Sequence, residues 1–206
     1  MAGTMPHAVF VETALDGGEG VAAYAAELPG CATFAASDME ATGAIPARVK
    51  RFLSWLRDNG EQAADIPGDN WYEVERSAAG DGPDGRATFS LDELPPGSDE
   101  WDRWRRWLDL AREELAEAID AAGIEAITGH PALAAILAQD EAMIRSLGGD
   151  PGLLPDDPID RMYAVRDALT ESLHASGPSG DRVRRVLRLA IADDLRLAEQ
   201  LHGGSS

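Results

Sequence analysis

The chain has 206 residues, of which 44% are hydrophobic, so it can bury the core of one large domain or of two small ones. Its formal net charge is -19, from 37 acidic and 18 basic residues. This charge disfavours a nucleic acid as the main partner, because the summed field repels a phosphate backbone.

Cysteine content and apolar run lengths indicate where the protein functions. The single cysteine, Cys31, cannot form an intramolecular disulfide or a cysteine-built metal cluster, which is typical of a reducing compartment. Residues 1–6 lack the basic and apolar runs of a signal peptide, and no later apolar stretch reaches membrane-spanning length. We therefore expect a soluble cytoplasmic protein without membrane association.

The first third of the chain carries strand signals separated by turn signals. Residues 8–12 are β-prone, and the glycine-rich stretch 16–20 is typical of a hairpin connection. An alanine-rich run at 21–28 meets a Pro-Gly turn signal at 29–30, after which an extended pattern resumes at 31–35. The pattern predicts three antiparallel strands.

A helix is predicted to follow these strands. Ser37 and Glu40 have the spacing of a capping box, and apolar residues then recur at helical intervals. Gly43 and Pro46 lie inside this pattern, and proline removes a backbone donor and clashes with the preceding turn. We therefore expect the helix to be kinked or to start late, near Ile45.

The next segment predicts a return to extended structure and then a domain boundary. Residues 71–75 alternate large and charged side chains, as an edge or half-exposed strand does. The stretch 79–85 reads as a flexible loop, after which residues 86–90 are candidates to pair back with that strand. Proline and glycine at 94–98 mark the boundary, because every later signal is helical.

Four helices are predicted beyond the boundary. They cover residues 101–122, 131–147, 159–173 and 180–201, and Thr128 is the expected cap of the second. Short connections between them indicate an antiparallel four-helix bundle. The predicted fold class is therefore α+β, with a small antiparallel sheet and one helix in residues 1–94 and the bundle in residues 98–202.

Three stretches of the first domain resemble the HicB antitoxin family. They are residues 24–33, which include the Leu-Pro-Gly-Cys turn, the helix end at 52–56 and the Asn-Gly-Glu sequence at 59–61. The resemblance implies a strand, turn, strand and helix in that order, and an antitoxin-like role. HicB proteins usually carry a DNA-binding segment and neutralise a small toxin, but no such segment follows here. We expect a protein partner or a homodimer, because an exposed sheet edge favours strand addition.

Two stretches of the second domain resemble the DinB family. Residues 133–141 are similar to that family's second helix, and residues 185–201 are similar to its fourth. Typical members hold a metal with one histidine on the second helix and two on the fourth. These positions fall at Ile136, Asp193 and Leu197, so the resemblance implies that the metal chemistry is lost and that no metal or cofactor is bound.

Charged residues that interrupt apolar stripes are the candidate site. Asp140 occupies a position of the second helix where an apolar residue is expected, and Asp193 interrupts the stripe of the fourth. With His130 they could line a polar pocket, although a surface or capping role is the simpler interpretation of that histidine. The favoured alternative is ion pairing of the carboxylates with one of the arginines Arg145, Arg166, Arg185 and Arg188.

A basic cluster on the fourth helix is the second candidate. Arg184, Arg185 and Arg188, with Arg182 beside them, form a possible anion-binding patch, although solvated arginines are the favoured interpretation. No catalytic motif is recognised, so no catalytic residue is assigned. We expect a non-enzymatic binding or regulatory protein of HicB-like type. The alternative is a divergent DinB-type metal-dependent transferase or hydrolase with a pocket between its helices.

Overall fold

The computed structural model describes residues 7–15, 18, 20–64, 66, 70–80, 85–128, 130–180 and 182–203. Residues 1–6, most of the predicted hairpin connection at 16–20 and most of the predicted loop at 79–85 lie outside the described residues. The chain forms two compact units, Met1–Leu91 and Asp92–Ser206. The α+β class is confirmed, with a four-stranded sheet followed by helices. The domain bounds 1–94 and 98–202 stay predictions.

The sheet of the first unit is mixed. Its strands are β1 (His7–Leu15), β2 (Gly20–Ala25), β3 (Ala32–Ala35) and β4 (Trp71–Ala78), in the order β3-β2-β1-β4. The three predicted antiparallel strands are confirmed, because β2 pairs antiparallel with both β1 and β3. The prediction that the whole sheet is antiparallel is wrong, because β4 runs parallel to β1. A helix precedes β4, and such a crossover is what parallel pairing requires.

The predicted pairing of residues 86–90 with β4 is also wrong. Residues 87–89 form no strand, and Ser90–Glu93 is a short 3-10 helix. The backbone N–H of Ala87 and the guanidinium of Arg86 instead donate hydrogen bonds to the side chain of Glu12 on β1. Residues 86–87 are therefore attached to the sheet through the side chain of Glu12, and they form no backbone ladder with a strand.

Helix α1 (Asp38–Asp58) packs against β2 and β3. The predicted capping box is confirmed in part: the Ser37 hydroxyl accepts the Glu40 N–H at 3.4 Å, but the Glu40 carboxylate bonds to that hydroxyl, at 3.0 Å, where a capping box uses the Ser37 N–H. The expected late start near Ile45 is wrong. Pro46 lies inside the helix and removes only one ladder donor, and the packed apolar face around it keeps the first turns helical.

The turn at residues 28–31 directs β3 back along β2. Gly30 has a φ of 87°, and the Cys31 N–H donates to the Leu28 carbonyl at 2.9 Å. Proline before such a glycine presets the first central dihedral of the turn. Cys31 is fully buried at the end of this reversal.

Five helices follow in the described part of the second unit. They are α2 (Ser98–Ala122), α3 (Ile124–Thr128), α4 (Pro131–Ser146), α5 (Pro158–Ser176) and α6 (Val183–Gly203). Helix α2 packs along α6, α4 packs along α5, and every residue from 185 to 195 is buried. Thr128 ends the unpredicted α3, so the expected cap role is wrong, and His130 caps α4 instead. No helix in the described ranges has the length and apolar character to span a bilayer.

Candidate functional site

The sheet carries a buried polar network centred on Glu12. Glu12 is fully buried, and its carboxylate accepts from Arg86 Nε at 3.1 Å, Arg86 Nη2 at 3.2 Å, the Tyr24 hydroxyl at 2.7 Å and the Ala87 N–H at 2.6 Å. Such complete pairing is what allows a carboxylate to be buried. The network has a structural role, because it fastens residues 86–87 to β1 and β2.

The second unit contains a half-open pocket of about 390 Å³ beside α4. We call it the α4 pocket. Its apolar wall consists of Leu133, Ala134, Leu137, Ala138 and Pro158, and its polar groups are Thr128, His130, Glu141, Asp156 and Arg161. A volume of this size and a mainly apolar wall with a few polar groups are typical of small-molecule sites.

His130 is held in one tautomer at the rim of this pocket. Its Nδ1 accepts the Ala132 N–H at 3.2 Å, as the side chain of the α4 N-cap. When the ring is neutral, the proton therefore lies on Nε2, which is a donor. In this arrangement His130 presents a hydrogen-bond donor at Nε2 and lacks the free ring nitrogen that a general base requires.

Glu141 is an ionised carboxylate that lines the α4 pocket. One of its oxygens accepts from Arg161 and the other accepts from Arg145 at 3.0 Å. These hydrogen bonds, that from Arg161 above all, hold the pKa of Glu141 below its usual range. Glu141 is therefore paired with two guanidiniums, of which that of Arg161 also lines the pocket.

Asp156 is the other carboxylate of the pocket. It follows Pro155 in the connection between α4 and α5, and its side chain is exposed. It makes no hydrogen bond or ion pair with any residue that the structure describes. A ligand in the pocket would thus meet one carboxylate whose charge is not already paired.

Asp140 lies outside this pocket, in a buried charge cluster of the same unit. The cluster combines Asp140 from α4, Arg166 from α5, Asp193 and Asp194 from α6, and Arg112 from α2. Arg166 bonds directly to Asp194. It approaches Asp140 less closely, with its Nε at 3.9 Å from a carboxylate oxygen, which is too long for a hydrogen bond.

The cluster contains more carboxylates than guanidiniums. Gln139 donates to Asp193 at 2.6 Å, and Arg112 Nε lies 3.9 Å from Asp194, but no described residue donates a hydrogen bond to Asp140. Burial raises the pKa of Asp140 to about 7, against the attraction of Arg166. Burial likewise raises the pKa of Asp194, although Arg166 and Arg112 oppose it. Below about pH 7 the cluster therefore balances its charge with a proton on Asp140.

The three residues predicted to line one polar pocket, Asp140, Asp193 and His130, do not lie together. His130 lines the α4 pocket, whereas Asp140 and Asp193 are buried in the charge cluster and do not line it. Of the expected partners of Asp140, only Arg166 lies near it, while Arg145 pairs with Glu141. Sequence reasoning missed the carboxylates that line the pocket, although the helical spacing of Glu141 after Leu133, Leu137 and Ala138 would place it on their face.

The predicted anion patch is not an exposed surface. Arg185 is fully buried, and Arg188 is buried in a two-point pair with Asp92, at 3.1 and 2.6 Å. Arg184 stacks over the ring of Trp104 at 4.5 Å and donates to Glu100 at 3.2 Å. These arginine side chains therefore pack and form ion pairs within the helical unit.

Histidine, cysteine and carboxylate side chains form no group of three or more that could hold a metal ion within the described ranges. Comparison with protein-family models, with curated proteins and with solved structures finds no match to this chain.

Proposed function

We propose that the protein is a non-enzymatic binding or regulatory protein of HicB-like type that acts through protein–protein contacts of its sheet unit. The order of β2, the turn at 28–31, β3 and α1 supports this proposal, because it is the order that the HicB resemblance implies. The helical unit, arranged as an antiparallel DinB-like bundle in this proposal, serves as scaffold and ligand receptor.

The observation that carries the proposal is the exposed edge of β4. This strand ends the sheet and has β1 as its only strand neighbour among the described residues. Tyr72 and Val74 are exposed along it, by 46% and 42%. An edge strand with exposed large side chains is a template for pairing with another chain.

A second copy of the same chain is the partner that the edge fits best. The ladder between β1 and β4 shifts at Val74, so this residue is a bulge flanked by Glu73 and Glu75. Antiparallel pairing of two β4 strands around a two-fold axis between Val74 and Glu75 would place Glu73 of each copy opposite Arg76 of the other. Opposite charges on facing strands stabilise such pairing and fix its register.

A charge-swap experiment tests this arrangement. Glu73→Arg and Arg76→Glu would each place like charges across the two-fold axis, so each variant alone should be monomeric in sedimentation velocity. An equimolar mixture of the two variants restores both opposite-charge pairs and should form heterodimers. The contact between Glu73 and Arg76 within one chain cannot produce this rescue, because neither variant retains it. A monomeric wild type, or variants that dimerise as it does, would overturn the proposal.

The alternative of a divergent DinB-type metal-dependent transferase or hydrolase requires a pocket between the helices, and the α4 pocket is lined by residues of both α4 and α5. Elemental analysis of the purified protein tests this alternative. Zinc or nickel at one equivalent per chain would favour it over a non-enzymatic role. Less than a tenth of an equivalent after incubation with either metal would count against it.

A further inference from the structure

We propose that the α4 pocket binds a small organic cation, namely a primary amine joined to an apolar body. The proposal goes beyond the protein contacts of the sheet unit and is independent of them. It rests on the shape, wall and charge of the pocket.

The wall selects for an apolar body. Leu133 and Leu137 are one helical turn apart on α4 and present buried side chains, while Ala134 and Ala138 beside them are small and leave the space open. Pro158, at the start of α5, lines the pocket as well. A short alkyl or cycloalkyl group would remove its surface from water against these side chains.

The charges select for a cation over an anion. Arg161 is the only guanidinium in the described lining, and it pairs with Glu141 at 2.5 Å. Arg145, the other partner of Glu141, lies outside this lining and is 59% exposed, so water screens its charge. Asp156 then remains as a carboxylate without a described partner. An anion would meet this carboxylate, whereas an ammonium group would be attracted to it and could also reach the free lone pairs of Glu141.

The side chains that line the pocket favour a primary amine over a quaternary ammonium group. Quaternary ammonium groups are recognised by cages of aromatic rings, and among the described lining residues His130 is the only aromatic one. Carboxylate oxygens are acceptors, and they recognise a cation that carries N–H donors. A primary amine fits these acceptors, and the Nε2–H of His130 remains available for a hydroxyl or carbonyl oxygen on the ligand.

Titration of the full chain with three probes of equal length tests the proposal. Hexylamine, hexanol and hexanoate each contain six carbon atoms and differ in the charge of the head group. We expect hexylamine to shift the backbone amide signals of Ala134 and Ala138 saturably at one site and to bind at least tenfold more tightly than hexanoate. Equal or tighter binding of hexanol or hexanoate would overturn the amine assignment.

Three variants separate the pocket from a general attraction of cations to an acidic protein. Ala134→Leu leaves the net charge unchanged and fills the cavity from an exposed helix position, so it should weaken hexylamine binding more than tenfold. Asp156→Asn should weaken it about twofold to fivefold, the range of an exposed charge pair. Asp167→Asn, on the exposed face of α5, is the matched control and should bind as the wild type does. Unchanged binding by Ala134→Leu, or equal losses in both aspartate variants, would overturn the proposal.

Discussion

Asp140 is a buried carboxylate with one guanidinium nearby and no hydrogen-bond donor among the described residues. Its pKa of about 7 lies well above the value of about 3.9 expected in the unfolded chain. At pH values between these two pKa values, the folded state therefore binds a proton that the unfolded chain has already released. The stabilisation is complete below about pH 4 and is lost as the pH rises through about 7, by at most about 1.4 kcal/mol per pH unit.

Asp140→Asn tests this linkage because the amide is neutral at every pH. Urea unfolding at pH 4 should give similar free energies of unfolding for wild type and variant. At pH 8 the variant should be the more stable one, because the wild type then buries a third carboxylate against two guanidiniums. Asp167→Asn controls for the loss of an exposed charge and should differ from wild type by the same small amount at both pH values. An Asp140→Asn curve parallel to that of wild type would contradict the assignment.

Glu12 is the opposite case, a buried carboxylate with all of its partners present. Glu12→Gln should lower the free energy of unfolding by about 3–5 kcal/mol, since it removes the buried carboxylate that pairs with the guanidinium of Arg86. The double variant Glu12→Leu with Arg86→Met should recover most of this loss, because no charge then remains to be desolvated. Urea unfolding of the single and double variants measures both effects, with Glu117→Gln on the exposed face of α2 as the control. A double variant no more stable than Glu12→Gln would refute this account.

The two carboxylates also show what a sequence reveals about single residues. Asp140 could be recognised because it interrupts an apolar stripe of period 3.6, and its pairing with Arg166 was among the predicted alternatives. Glu12 could not be recognised in the same way, since a charged residue at the end of a β-prone run usually faces solvent. Its partner Arg86 lies 74 positions away, and only the folded sheet brings them together.

Two glycines of the first unit should respond in opposite ways to the same substitution. Gly30 adopts a positive φ in the turn between β2 and β3, which an alanine side chain disfavours, so Gly30→Ala should destabilise the unit by about 1–2 kcal/mol. Gly43 lies inside α1, and an added Cβ there would meet no atom within 4 Å. Gly43→Ala should therefore stabilise the unit by about 1 kcal/mol. Thermal unfolding of both variants checks the signs, and a shift in the same direction for both would contradict this explanation.

Element boundaries could be predicted wherever a local signal fixes them. The Ser37 N-cap and the Pro-Gly turn at 29–30 are such signals, because each acts within a few residues. The direction of β4 has no local signal, since it depends on the crossover of α1 and on pairing with β1. Helix α3 was missed because its five residues are too short to show a helical period.

At the scale of the whole molecule, the change of period along the chain predicted the order of its two parts. The change at residues 94–98 from extended to helical signals anticipated a sheet unit followed by helices. The charge of -19 disfavours binding to polyanions and is consistent with a pocket that attracts amines. The α4 pocket itself had no sequence signal, because its carboxylates come from a helix and from a connection that approach each other only after folding.

The burial of α6 has a consequence for how the chain is made. Residues 185–195 supply the packed centre against α2, and they are synthesised after every other helix of their unit. During translation the face of α2 that packs along α6 stays uncovered until α6 has been made, whereas the sheet unit is complete once residue 91 has left the exit tunnel. This face of α2 is thus exposed to chaperones for as long as α6 is being synthesised.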